Sequence, residues 1–353
     1  MREENQRGAV ERLPFLPFKT SRIKDVAHEA GVSTATVSHV INGTKYVTDD
    51  TRRRVLDAVK RCEYHPNANA RSLASGRSNM LGLLVSDISN PFFPEVIKSI
   101  EAAAFERGYN VILINTNYDP ERAAEYVRRL SELKMAGVAL MTSELDSELF
   151  REITRRQVSV VFDSTDMATE RMSNICVDYA AGIQEAVRHL VSLGHRRIAH
   201  IAGSSRIPSG VIRRDAFLDF MKLYLPDEPP PAIYEGDFRL DGGRRAASEV
   251  LAAPELPTAV VVANDMMALG AMREFRKAGL SIPGDISVVG FDDIAFAALA
   301  EPPLTTVCSP RVEIGSRVVE VLVSMIERPE RQGVEVRIPT HLITRDSTAP
   351  PRK

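Results

Sequence analysis

Three cysteines in 353 residues are too few and too scattered to build a disulfide framework or a metal site. Cys62, Cys176 and Cys308 suit a reducing cytoplasm. No apolar run approaches the roughly 20 residues that span a bilayer, so no membrane partner is expected. Residues 1–20 mix Arg2, Glu3, Glu4, Arg7, Glu11 and Arg12 without an apolar stretch, which excludes a signal peptide and reads as a disordered N-terminal extension. Solenoid-period repeats and low-complexity tracts are missing. So are a glycine-rich phosphate loop, a G-x-S-x-G elbow and a metal-spaced histidine cluster. Of the clustered His189, His195 and His200, the second sits in G-H-R-R-I and reads as structural. No catalytic residue, metal or cofactor is therefore expected, and an enzyme is the least favoured class. Net charge is −2, so the chain as a whole has no excess of one sign. Its distribution is uneven: Lys19–Ser78 holds 11 Lys/Arg against 6 Asp/Glu, and the remainder 34 against 41. A basic head on an acidic body confines phosphate contact to the head.

That head contains I-K-D-V-A-H-E-A-G-V-S-T-A-T-V-S-H-V-I-N, residues 23–42. Ile23, Val26, Ala27 and Ala30 fall at i, i+3, i+4 and i+7, one face of a helix. Gly31 can take φ > 0 and end it. Ser33 is an N-cap for a second helix, whose inner stripe is Val37, Val40 and Ile41. Thr34, Ala35, Thr36, Ser38 and His39 remain outside, small or polar and able to lie against base edges. This is the helix-turn-helix pattern, whose second helix enters the DNA major groove. A helical hairpin with a solvated face is the plain alternative.

Asn42-Gly43 is a turn signal. Thr48 can cap a third helix with Asp49 and Asp50 in its first turn and Val55, Val59 and Cys62 inside. Lys45, Tyr46, Arg52, Arg53 and Arg54 can meet phosphates or simply be solvated. Beyond Pro66, Asn67 can start a two-turn helix that carries Arg71 and Leu73 and ends by Gly76. Such a helix is marginal alone. It makes sense if it orders in a minor groove with Leu73 wedged between base steps, or if it is a linker with Leu73 docked on the body.

From Met80 strand-like runs alternate with amphipathic helices. The runs are Leu81–Val85, Val111–Ile114, Val138–Met141, Val158–Phe162, Ile198–Ile201, Ala259–Val262 and Ile286–Val289; helical stretches include Pro94–Arg107, Glu121–Leu133, Ala180–Leu193 and Asp265–Lys277. Alternating β and α implies parallel sheets covered on both faces. The pattern restarts near Ala180–Arg197, so two doubly wound lobes are expected, with the ligand site at the carboxyl ends of the strands. Polar residues gather there: Asn90 beside Phe92 and Phe93, then Asp163, Arg213, Asn264-Asp265 and Asp292. Hydrogen-bonding groups, one Arg and aromatic walls describe a site for a small sugar or polyol. For each residue taken singly, helix capping or loop chemistry competes.

The motifs A-G-V-S-T-A-T-V-S-H-V-I-N and Y-x-P-N-x-x-A-R-S-L, then S-N-P-F-F, R-R-D-A-F, N-D-M-M-A-L-G and I-S-V-V-G-F-D-D-I, occur in order over about Ser21–Arg345. Together they resemble the LacI family of bacterial transcription regulators, in particular its purine-repressor and ribose-repressor branch. The resemblance implies a small all-α helix-turn-helix head (21–65), a hinge helix and linker (66–79), and an α/β body similar to periplasmic binding proteins (80–345), followed by a C-terminal tail (346–353). It implies lobe 1 at about 80–178 and 303–334, lobe 2 at about 179–302 and 335–345, and crossovers near Asp178, Ala300–Pro303 and Val334–Arg337. It further implies base reading by Thr34, Ala35 and His39, with Ser33, Thr36, Asn42, Tyr46 and Arg71 in support and Leu73 in the minor groove. Effector contacts carry over to Asn90, Phe92, Phe93, Asp163, Arg213, Asp265 and Asp292. Many family members have Arg where His39 stands, Gly where Ala216 stands and a polar residue where Cys308 stands.

The expected function is a cytoplasmic, nucleoid-associated repressor. It would bind a pseudo-palindromic double-stranded operator as a homodimer under control of a small effector, expected to be a sugar. No leucine-rich heptad follows Arg345, which favours a dimer over a tetramer. A sugar-binding protein of transport or chemotaxis type, and a global regulator acting with a protein co-regulator, are the alternatives.

Overall fold

The computed structural model describes residues 21–64, 78–133, 135–141, 152, 155, 159–162 and 171–352. The chain divides into two compact units, Met1–Arg77 and Ser78–Lys353. In the first, α1 (Ile23–Ala30) ends at Gly31, whose φ of 64° is a left-handed conformation that glycine adopts without a Cβ clash. Ser33 caps α2 (Thr34–Asn42), its Oγ accepting from the Thr36 amide at 3.1 Å. Thr48 precedes α3 (Asp49–Arg61), but its hydroxyl turns to Thr51 Oγ1 at 3.0 Å and not to a backbone amide; Asp49 and Asp50 face the amino end as expected. Val26, Ala27, Ala30, Val37, Val40, Val55 and Ala58 form the core, with Ile23, Ile41, Val59 and Cys62 packed at its edge. Arg61 and Glu29 tie α3 to α1 at 2.9 Å.

The second unit is an alternating chain: β1 (Met80–Val85), α4 (Phe92–Glu106), β2 (Asn110–Asn115), α5 (Pro120–Glu132), β3 (Gly137–Met141), β4 (Ser159–Phe162), β5 (Met172–Val177), α6 (Tyr179–Ser192), β6 (Ile198–Ala202), α7 (Pro208–Tyr224), β7 (Ile233–Glu235), α8 (Leu240–Leu251), β8 (Ala259–Val262), α9 (Asp265–Lys277), β9 (Ser287–Asp292), α10 (Ala295–Leu299), β10 (Thr305–Cys308), α11 (Arg311–Glu327), β11 (Glu335–Ile338) and β12 (His341–Ile343). They form two six-stranded sheets ordered β11-β5-β4-β3-β1-β2 and β12-β10-β9-β8-β6-β7. Pairing is parallel except where β12 meets β10. Central strands such as β3, β6 and β8 are buried throughout, because helices cover both faces.

Two of the expected crossovers are displaced. The first lies at Asp178, between β5 and α6. The second was expected at Ala300–Pro303, yet β10 still belongs to the second lobe, with Thr305 opposite Val289 of β9. The chain crosses at Ser309–Pro310, and α11 then packs on α4 and β3 of the first lobe. The third was expected at Val334–Arg337, but β11 pairs with β5 of the first lobe, Glu335 opposite Asn174. The crossing falls after Ile338. Pro302 and Pro303 look like a break, but they only precede a strand whose buried Thr305 and Thr306 find partners in the second lobe.

The stretch expected as a C-terminal tail is part of that lobe. Ser347 is fully buried; its hydroxyl donates to the Val288 carbonyl at 2.6 Å and accepts from the Thr305 amide at 2.8 Å. His195 Nε2 donates to the Ala349 carbonyl at 2.9 Å. No helix among the described residues is long and apolar enough to cross a membrane. Deleting residues 346–353 strands these buried groups, each worth about 1–3 kcal/mol when left unmade. Urea unfolding should register a loss of roughly 3 kcal/mol; a loss too small to resolve would show that the segment is not part of the fold.

Candidate functional site

On α2 the amino-terminal turn presents Thr34 and Ala35 to solvent, with Thr36, Ser38 and His39 half-buried beside them. Ser33 and Thr36 are paired at 2.9 Å, and Asn42 donates to Ser38 at 3.1 Å, so both ends of this helix face are held. His39 Nδ1 lies 2.8 Å from Thr44 Oγ1 in the following turn, which orients the ring and leaves Nε2 as its remaining polar atom. Tyr46 is 92% exposed, a large aromatic with little packing. Arg52 and Arg53 are exposed on α3, while Arg54 pairs with Asp50 at 3.5 Å. Arg71 and Leu73 lie outside the described residues.

In the body, the carboxyl ends of the strands converge on Arg213 of α7, which is buried. Its guanidinium lies 4.3 Å from the Tyr179 ring centroid and 4.1 Å from that of Phe291, with Phe238 at 5.8 Å. Such faces attract a cation more strongly where water is excluded. Nη1 donates to the Ala263 carbonyl, Nη2 reaches Asp292 Oδ1 at 3.5 Å, and Nε is buried without a partner. Asp292 itself is buried at the end of β9 in a strained backbone, φ 106°. Burial pushes its carboxyl up to about 6, against the pull of Arg213 and Arg311.

Asp265 was expected among the effector contacts, but both its oxygens are engaged within the protein. Oδ1 accepts from the Thr306 hydroxyl at 2.5 Å and Oδ2 from the Ile294 amide at 2.9 Å. Burial first, and the neighbouring Asp292 second, raise its pKa well above the usual carboxylate range. It therefore holds the Asp292–Ile294 turn in place. Asn264 caps α9 through the Met267 amide at 3.0 Å and donates to the Phe238 carbonyl at 2.9 Å. That second bond helps fix Phe238 in its left-handed conformation, φ 65°. Gly203 is needed opposite, since a Cβ there would sit 2.1 Å from the Phe238 ring. In the first lobe, Asn90 Oδ1 accepts from the Phe92 amide at 3.1 Å, and Phe92 and Phe93 meet edge to face at 5.4 Å. Asp163 lies outside the described residues.

Sequence reasoning did not single out Phe238 or Tyr179. Each is one aromatic in a stretch with no motif around it, and only the packing on Arg213 shows its place. His200, fully buried in β6, stacks on Phe217 at 4.8 Å and bonds Val261 O through Nδ1 at 2.8 Å; burial lowers its pKa to about 4, so it stays neutral behind α7. Among the described residues no cluster of three His, Cys, Asp or Glu could hold a metal. The arrangement offers aromatic walls, one fixed cation and one carboxylate, which suit the apolar face and hydroxyl edge of a small neutral ring.

Residues 22–67 match the family model of bacterial regulatory proteins, lacI family, and residues 187–348 that of a periplasmic binding protein-like domain. The chain is 34% identical over 333 residues to the HTH-type transcriptional repressor PurR of Aliivibrio fischeri, covering 93% of this chain and 98% of that protein. It is 36% identical to the ribose operon repressor of Escherichia coli K12, covering 92% and 99%. A lac repressor dimer bound to operator and the anti-inducer ONPF superposes with a TM-score of 0.85 at 29% identity, covering 94% of this chain and all of that one.

The raised pKa of Asp292 has a signed consequence for stability. Its proton is held more tightly in the folded state, so its contribution is complete below about pH 4 and is lost as pH rises through about 6. Asp292→Asn removes that dependence. Between pH 4 and pH 7 the variant should gain on the order of 2–3 kcal/mol relative to the native chain in chemical unfolding. Parallel pH profiles would show that Asp292 is not a strained acid.

Proposed function

The chain belongs to the LacI family of bacterial regulatory proteins, and from that premise we propose that it is a repressor whose operator affinity is set by a small sugar or polyol. The observation that carries this reading is the buried Arg213, with its Nε unpartnered beside Asp292, on the same chain as a helix-turn-helix with an exposed reading face. A transport-type binding protein has no use for that head. Two copies would present two heads to a pseudo-palindromic operator, the dimer two-fold matching that of the DNA. In each head Thr34, Ala35 and His39 read base edges, Thr36 supports them, and Ser33, Asn42, Tyr46 and Arg71 contact phosphate or sugar. Leu73 enters the minor groove at the centre of the site. A regulator acting on the nucleoid works in the cytoplasm, and the reading assigns no catalysis.

In the body, Arg213 and Asp292 take the ring hydroxyls, with Asp163 as a further acceptor. Phe92, Phe93 and Phe238 are the apolar walls, and Asn90 adds a polar group. Asp265 acts by holding the Asp292 turn. The ligand binds the two lobe arrangements unequally and so shifts their balance, and the hinges carry that shift to the heads. The pair Asn90 and Phe92-Phe93, together with the ribose operon repressor among the relatives, favours a pentose over a purine.

Two measurements test this. A thermal-shift screen of pentoses, hexoses, polyols and nucleobases on the full chain should find a pentose that raises the melting temperature by mass action. A response to nucleobases alone would reject the sugar reading. In binding-site selection, His39→Ala should relax the preference at one position of each half-site, about 1 kcal/mol per contact. An unchanged selected sequence would remove His39 from the reading face.

A further inference from the structure

The strands that feed the three crossovers, β5 and β11 in one sheet and β10 and β12 in the other, all lie at the same end of the strand order. The strands β2 and β7 form the opposite edges. A rotation of one lobe about the crossovers therefore moves the β2 and β7 edges furthest. Charged and polar groups from the two lobes meet there. Arg239, which precedes α8 of the second lobe, extends its guanidinium to the loops following β1 and β2 of the first. Its Nε lies 3.5 Å from Asp87 Oδ2, and its Nη2 donates to Asn117 Oδ1 at 3.3 Å. The same guanidinium lies 5.4 Å from the Tyr118 ring centroid.

Both sides of this junction are built to meet. Asp87 is buried, and Ser89 fixes its other oxygen with the amide at 2.9 Å and the hydroxyl at 2.6 Å. Asn117 and Tyr118 both hold positive φ, 58° and 59°, and so does Phe238 immediately before Arg239. Positive φ at an aromatic residue is uncommon and persists where the surroundings enforce it. The Arg239 amide is anchored to Asp237 Oδ1 at 2.9 Å, and Asp237 is itself held by Arg245 at 2.7 Å. At the crossover side, by contrast, Arg311 joins the lobes with a short lever, pairing with Glu95 at 2.6 Å and donating to the Asp292 carbonyl.

We propose that Arg239 is the latch of the effector cleft, a positioning residue that holds the β2 and β7 edges together and sets how much of the ligand-free body is closed. It rests on the reading of the cleft as the effector site. Phe238 walls that site and Arg239 follows it directly, so closing the latch and completing the wall are one movement. Arg239 is half-exposed, so its ion pair is screened by water and salt. The latch biases the lobes and does not lock them.

Spin labels on Arg122→Cys and Glu249→Cys, with Cys62, Cys176 and Cys308 changed to serine, report the distance between α5 and α8 in the full chain. Without ligand, Arg239→Ala should shift the distance distribution toward longer values, with a roughly threefold rise in the open fraction relative to closed, the scale of a half-exposed ion pair. Asn117→Ala should produce part of that shift, and the double variant should be no more open than Arg239→Ala alone. With D-ribose as probe, affinity should fall by the factor that the closed population falls, an effect that a purely structural role would not tie to the distances. A distribution unchanged by Arg239→Ala overturns the latch. If the distances shift but D-ribose binds neither protein, the latch stands and the pentose assignment fails.

Discussion

A guanidinium taken out of water has to be compensated by its surroundings, and the second lobe is arranged around that demand at Arg213. Two aromatic faces, one backbone carbonyl and one carboxylate surround it. They come from different parts of the fold: Tyr179 from the start of α6, Phe291 and Asp292 from β9, Ala263 from the end of β8. The charge therefore selects one mutual arrangement of the second lobe's elements. Removing one partner of such a pair is expensive because the other is left buried and uncompensated. The supporting residues follow from the same demand. Asp265 holds the turn that bears Asp292, and Asn264 holds Phe238.

Among its described residues the head has no comparable buried charge. Among the described residues its buried core consists of alanine and valine alone. Three short helices with so small a core gain little from burial, and caps and turns take a larger share. Gly31 and Ser33 carry the turn between α1 and α2, and His39 is steadied by Thr44 beyond the end of its helix. On the proposed reading, a face held this way presents groups to DNA but offers few strong base contacts. Affinity then depends on phosphate neutralisation and on pairing two heads.

The separation of the two units has a functional reading. The body's internal balance is set by buried charge and by contacts across the cleft, while the head's output is set by surface chemistry. A ligand of a few hydroxyls can act on the first because Arg213 retains an unpartnered Nε beside the buried Asp292.

The helix-turn-helix was legible because its signals are local. A left-handed glycine, a capping serine and an i, i+3, i+4 apolar face act within a few residues, and α1 and α2 form where those signals stand. The strands β1, β3, β6, β8 and β9 were legible because a strand buried on both faces must be apolar; β2 and β4 were legible from their apolar runs alone. The polar strands β5 and β10 and the short edge strands β7, β11 and β12 were not. In β5, Ser173 and Asn174 interrupt the apolar run, and the Ser173 hydroxyl finds the Val334 amide only after the fold brings β11 alongside. The second crossover was misplaced for the same reason, since whether Thr305 and Thr306 close a lobe or cross from it depends on partners about forty residues away. The sequence by itself determined the head, the alternating body and which polar residues follow the strands. Tertiary structure alone decided that Asp265 bonds Thr306 and Ile294, that Phe238 lies beside Arg213 and that Arg239 reaches Asp87 and Asn117, because each is a contact between segments that no local pattern relates.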